Sequence, residues 1–284
     1  MGIQVRNIFF TYQKKASNAT QALDDVSLHI NDGDFVAIVG ETGSGKSTLA
    51  QCLNALLIPD KGDVEINNYL INHKNRKSRK LNGLRQHVGL VFQFPEYQLF
   101  EETVEKDVAF GVKNFGVKGD EALSRAHIAL NQVGIDESYY RRQPFELSGG
   151  EKRKVAIAGI LAINPDIIIF DEPTVGFDPF SAKELLRLIC DFHSQGKTII
   201  VITHDMDLVN TYAQKVFLLE KGKLVYQGTP ADLFIRFQNN EYLDIPQVTR
   251  LAIALSNKGI DIPVSKIRTL DDLMPFIKKW RSKE

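Results

Sequence analysis

Cysteine is scarce. Only Cys52 and Cys190 occur among 284 residues, far apart and in no metal or redox spacing. This excludes a disulfide scaffold and a cysteine-built zinc site, and idle thiols point to a reducing compartment. An excess of either charge is missing as well, since 35 basic residues face 35 acidic ones. The balance lacks the basic footprint of a nucleic-acid binder, so no nucleic-acid partner is expected. No run of about 20 apolar residues occurs, so no membrane span is expected. The opening MGIQVRNIFF does not have the basic-then-apolar layout of a signal peptide. Arg6 stands where an N-myristoylation signal needs Ser or Thr. The stretch HKNRKSRK within Asn72–Asn82 has no aromatic partners and reads as a solvated loop. Repeats and low-complexity tracts are absent.

What is present centres on GETGSGKST, Gly40 to Thr48. Gly40, Gly45, Lys46 and Ser47 fill the phosphate-loop pattern G-x-x-x-x-G-K-(S/T). Glu41, Thr42, Gly43, Ser44 and Thr48 complete the stretch. Glycine lets backbone N–H groups converge on one point, and such groups at a helix N-terminus form an anion nest. Lys46 would reach the β- and γ-phosphates of ATP, and Ser47 would help hold Mg²⁺. The flanks agree, because Phe35–Val39 reads as a buried strand and Ser47–Leu57 as a helix.

Strands are also expected at Ile3–Tyr12, Asp25–Ile30, Val88–Phe92, Asp166–Phe170 and Thr198–Ile202. Hairpin arms are expected within Asp63–Ile71 and on either side of Lys221-Gly222. From about residue 95 to 164 the pattern turns helical, and helices then alternate with strands at Ser181–His193 and Met206–Ala213. This predicts an α/β fold with a mostly parallel sheet, an antiparallel β arm and an inserted helical subdomain at about 95–164. After Gly228 three helices separated by Asp-Ile-Pro segments read as a small α-rich C-terminal unit. The expected division is 1–228 and 229–284.

DIIIFDEPT, Asp166 to Thr174, ends a buried strand in two carboxylates. Ligands bind at that edge of an open parallel sheet. Adjacent strand residues point to opposite faces, so Asp171 can serve Mg²⁺ while Glu172 polarises the attacking water as general base. Gln93 and His204 end two more strands of the same sheet. The Gln93 amide could contact Mg²⁺ and the water, and the His204 imidazole the γ-phosphate.

ELSGGEKRKVAIAGILA, Glu146 to Ala162, sets a second anion-binding turn at a helix start. Together these motifs resemble the ATP-binding-cassette (ABC) ATPases over roughly Ile3 to Gly228. The resemblance implies the P-loop NTPase ABC cassette fold and ATP sandwiched between two cassettes. It implies that Ser148, Gly149, Gly150 and Glu151 act in trans, that Tyr12 stacks on adenine and that Asp178 lies in a dimer-contact loop. Glu151 departs from the family, where Gln is common, and adds negative charge near a phosphate site. The wording FPEYQLFEETV is similar to the second of the paired A-component ATPases of energy-coupling factor (ECF) transporters, and the tail fits them. That implies a heterodimer with a sister ATPase, peripheral on the cytoplasmic face of the cell membrane. The pair would sit beneath a transmembrane T-component, which joins a substrate-binding S-component. The T-component would dock near Gln93–Phe100 and the helical subdomain. A conventional importer ATPase would have the same cassette but different wording after Gln93. A soluble ABC ATPase usually has long inserts or two fused cassettes, and a P-loop kinase would not explain Leu147–Gly150 or His204.

Overall fold

The computed structural model describes residues 2–14, 18–75, 80–238 and 243–281. At its centre lies a six-stranded sheet. Its strands, in spatial order, are β10 (Lys223–Gly228), β9 (Lys215–Glu220), β3 (Phe35–Val39), β8 (Thr198–Ile202), β7 (Ile167–Asp171) and β6 (Val88–Val91). All neighbours run parallel except the β10–β9 hairpin. A separate antiparallel sheet has the order β2 (Thr20–Asn31), β1 (Gly2–Tyr12), β4 (Lys61–Ile66) and β5 (Tyr69–Ile71).

The central strands are buried at every position and almost wholly apolar because both of their faces are covered. The two faces separate with period 2. Phe35, Ala37, Val39, Ile168, Phe170, Ile199 and Val201 pack with the helical block of α3 (Val104–Asn114), α4 (Gly119–Gln132), α5 (Gly149–Leu161) and α6 (Pro179–Ser194). Val36, Ile38, Ile167, Ile169, Ile200 and Ile202 pack with the antiparallel sheet and α1 (Lys46–Leu53). Register aligns the carboxyl ends: Asp171 lies beside Ile202, Ile202 beside Ile38 and Val91 beside Phe170. Gly40, Gln93, Glu172 and His204 therefore all follow strand ends on one edge.

Two local expectations change. Helix α1 stops at Leu53 rather than Leu57, because Ala55 takes a φ of 55° and the Asn54 side chain donates to the Val88 carbonyl. The solvated loop expected at Asn72–Asn82 gives way to helix α2 (Lys80–His87), whose Leu81 and Leu84 are buried beneath the antiparallel sheet. Residues 76–79 of that stretch lie outside the described residues.

After Gly228, α8 (Pro230–Arg236) is capped by Thr229 and sinks Leu233 and Phe234 into the helical-side core, joined by Leu243 and Ile245. Helices α9 (Gln247–Asn257) and α10 (Leu270–Arg281) enclose a separate small core of Ala252, Ile260, Ile262, Ile267 and Leu273. Arg268 ties this unit back to α7 (Met206–Tyr212): its carbonyl accepts from Asn210 Nδ2 at 3.0 Å and its guanidinium donates to the Thr211 carbonyl at 3.3 Å. Among the described residues, no helix is long and apolar enough to cross a membrane.

Candidate functional site

The loop Gly40–Thr48 leaves β3 and is held between the two sheets. Gly40 has φ 142° and Gly45 φ 102°, both out of reach for ordinary side chains. A Cβ on Gly40 would run into the Leu219 carbonyl of β9, and one on Gly45 into the Ala22 carbonyl of β2. The β9–β10 turn adds a third anchor, with Gly222 N–H donating to the Ser44 carbonyl at 3.0 Å. Glycine at the start of α1 contributes no side-chain acceptor, so the first-turn amides are left for an anion. Lys46 Nζ donates to the carbonyls of Gly40 and Glu41, both at 2.7 Å. Burial pushes its ammonium below the usual lysine range, against the charges of Glu172, Asp171 and Glu41. Ser44 is buried, and its hydroxyl has no partner. Thr42 and Gly43 form the exposed tip, where Gly43 has φ 82°.

The carboxylate pair faces this loop from the end of β7. Asp171 is buried; desolvation pushes its carboxyl up, while a hydrogen bond from the Ser47 hydroxyl pulls the other way. Glu172 takes a φ of 50°, rare for a residue with a side chain, and its N–H donates to the Ile202 carbonyl at 2.9 Å. This turn separates the two carboxylates. Glu172 Oε1 lies 2.9 Å from His204 Nδ1, and Oε2 is buried with no partner. An unpartnered buried carboxylate oxygen is costly. The His204 ring is mostly exposed.

Among the described residues, Tyr12 is the one other expected residue that hydrogen-bonds to this cluster. Gln93 is exposed beyond β6. Tyr12 ends β1, its ring edge against Phe10 at 4.9 Å and its hydroxyl 3.2 Å from Thr48 Oγ1. Among the described residues, no hydrogen bond or ion pair joins Ser148–Glu151 to the Gly40–Thr48 loop. These four residues open α5 as a reciprocal cap, in which Glu151 Oε2 accepts from Ser148 N at 2.8 Å and Ser148 Oγ accepts from Glu151 N at 3.4 Å. Its hydrogen bonds with Ser148 hold the Glu151 carboxyl below the usual range. Asp178 caps α6, accepting from Phe180 N at 2.9 Å and Ser181 N at 3.1 Å.

Two residues beside these loops are absent from the sequence reading. Arg153 of α5 is buried and forms a two-bond fork with Glu96, three residues beyond Gln93. The available signal was spacing: Arg153 shares the buried stripe of α5 with Ile157 and Leu161, at i, i+4 and i+8.

The ABC transporter family matches residues 23–175. The chain is 49% identical over 262 residues to the energy-coupling factor transporter ATP-binding protein EcfA2 of Streptococcus pneumoniae, covering 92% of this chain and 94% of that one. Among solved structures it resembles cbiO1 from Clostridium perfringens, part of the ABC transporter complex cbiONQ. Identity there is 34%, TM-score 0.72, and coverage 90% of this chain and 96% of that one. It also resembles a dimeric ATP-binding cassette in a post-hydrolysis state bound to ADP and Pi, at 30% identity and TM-score 0.72, covering 80% of this chain and 98% of that one. The phosphate loop, the paired carboxylates and a likeness that covers 92% of the chain lead to one assignment: the chain belongs to the ABC transporter ATPases and, within them, to the energy-coupling factor transporter ATP-binding proteins.

Proposed function

We propose that this chain is one half of a heterodimeric motor that energises an ECF-type importer of vitamins or other micronutrients. Its sister ATPase completes two composite ATP sites. The pair works at the cytoplasmic face of the membrane under a transmembrane T-component, with substrate recognised by an S-component. The observation that carries this reading is the reach of the likeness to EcfA2, which at 262 residues is too long to be the cassette alone and runs past Gly228. In this reading residues 1–228 are the ATP-binding domain, with the inserted helices at about 95–164, and 229–284 the accessory unit that contacts the sister.

Lys46, half-buried among carbonyls and acids, offsets the charge that develops on the transferred phosphoryl group. Glu172 is the base that accepts the proton of the attacking water, while His204 holds its Oε1. Tyr12 provides an aromatic face for adenine. Ser148, Gly149, Gly150 and Glu151 serve the nucleotide held by the sister, and Asp178 meets the sister across the interface. Ser47, Asp171 and Gln93 offer the hard oxygen ligands that Mg²⁺ prefers. The fit is supported by the Ser47–Asp171 hydrogen bond and by an Asp171 carboxyl that burial holds up and a cation would stabilise as carboxylate. Bound there, Mg²⁺ would neutralise phosphate charge.

The test is a pull-down of tagged chain from its native membrane in mild detergent, with partners identified by mass. A similar ATPase and small polytopic proteins are the expected company. A chain that elutes alone, or with ribosomes or DNA, would sink the transport reading and leave the ATPase assignment standing.

A further inference from the structure

Arg153 uses all three of its guanidinium nitrogens. Nε and Nη2 donate to Glu96 Oε2 and Oε1 at 3.0 and 2.9 Å, and Nη1 donates to the Val175 carbonyl. The side chain is 7% exposed, and the guanidinium lies 5.7 Å from the Phe94 ring and 5.0 Å from the Phe177 ring. A planar fork held between aromatic faces is a use of arginine that lysine cannot copy. The neighbours are built around it. Gly176 has φ 80°, and a Cβ there would come within 3.0 Å of Nη1.

These contacts join three segments that the sequence separates. Glu96 sits in the 3₁₀ turn Pro95–Gln98, just past Gln93. Val175 to Phe177 leads from Glu172 to Asp178. Arg153 itself stands one turn into the helix that Ser148 opens. A buried charge with one partner removed is strongly unfavourable, so the three segments cannot part here at low cost.

We propose that Arg153 is a positioning residue that locks the turn after Gln93 and the loop before Asp178 to the Ser148 helix, so that the three move as one body during ATP turnover. It touches no reacting atom. This rests on the roles given above to Gln93, Ser148 and Asp178, but not on transport, because ATP turnover reads it directly.

The test compares Glu96→Gln, Arg153→Lys and the double variant, each purified in the assembly in which the wild-type chain is recovered. Affinity is titrated with a non-hydrolysed ATP analogue, and turnover is followed as phosphate release. Either single change is expected to lower kcat about tenfold or more, as small misplacements of catalytic loops do, with analogue affinity unchanged. The double variant should be no worse than the poorer single, since one linkage is lost in each case. Hydrogen exchange over residues 93–99 and 174–178 should rise in both singles. Turnover within twofold of wild type, losses that multiply in the double variant, or a fall that only tracks the folded fraction would each overturn the proposal. Glu96→Gln keeps shape and leaves Arg153 its bond to Val175, so it provides the reading if Arg153→Lys does not fold.

Discussion

Replacing Glu172 with Gln removes one charge and almost no shape. The φ of 50° and the N–H bond to Ile202 belong to the backbone and persist, and an amide oxygen can still meet His204 Nδ1. What disappears is the basic oxygen. The change also alters its neighbours. Lys46 loses the largest of the charges that oppose its burial and moves further below the lysine range. Asp171, raised first by desolvation and also by Glu172, moves back toward an ordinary carboxylate. Neither shift removes the carbonyls that hold Lys46 Nζ, so ATP should still bind. A positioned base contributes roughly 10²–10⁴ in rate, or about 3–5 kcal/mol of barrier. In a dimer only the site carrying this chain's Glu172 is blocked. Expected results are affinity for a non-hydrolysed analogue within about threefold of wild type, and one ATP per dimer retained intact after rapid gel filtration. Phosphate release with no retained ATP, at a rate matching wild type, would refute the base assignment.

Three further expectations are open to measurement. Phe234→Ala empties a fully buried site in α8 and should cost about 3–5 kcal/mol in the main denaturant transition; an unchanged main transition would mean that α8 folds apart from the sheet core. Burial pushes the Glu96 carboxyl up, but its bonds with Arg153 and the Arg153 charge hold it below the usual range. Its stability contribution is therefore present above the ordinary glutamate pKa and lost as pH falls through the lowered value, so a Tm-against-pH curve should lose part of its acid limb in Glu96→Gln. Glu151→Gln keeps a side chain able to close the α5 cap but removes its charge. If that charge opposes the sister's nucleotide, ATP-driven dimerisation should tighten about threefold or more at low salt, and an unchanged ATP dependence in analytical ultracentrifugation would count against the repulsion.

The central sheet was legible because its strands are covered on both faces, which leaves unbroken runs such as FVAIV and TIIVI. The phosphate loop was legible because its glycines meet hard limits: carbonyls of Leu219 and Ala22 stand where Cβ atoms would go. Helix α2 was hidden, because HKNRKSRK runs up to its first residue and only Leu81 and Leu84 carry the apolar spacing. The short C-terminal limit of α1 was hidden too, since an apolar LL pair follows Asn54 and nothing local announces the positive φ of Ala55.

Arg153 shows a different kind of limit. Its sequence context, EKRKV, offers three basic residues in a row, and solvent is the default for all of them. Only the third dimension selects one. Helical phase turns Arg153 inward with Ile157 and Leu161, where a carboxylate from a distant turn and a backbone carbonyl satisfy it. Glu151 illustrates the same point one turn earlier. Read as a sequence it is a stray negative charge near a phosphate site. In the fold it also closes the cap of the helix that presents Ser148, so the residue that adds charge is the one that orders the turn. Substitutions at 151 therefore change two things at once, and only a comparison that separates cap stability from ATP-dependent dimerisation can assign the effect.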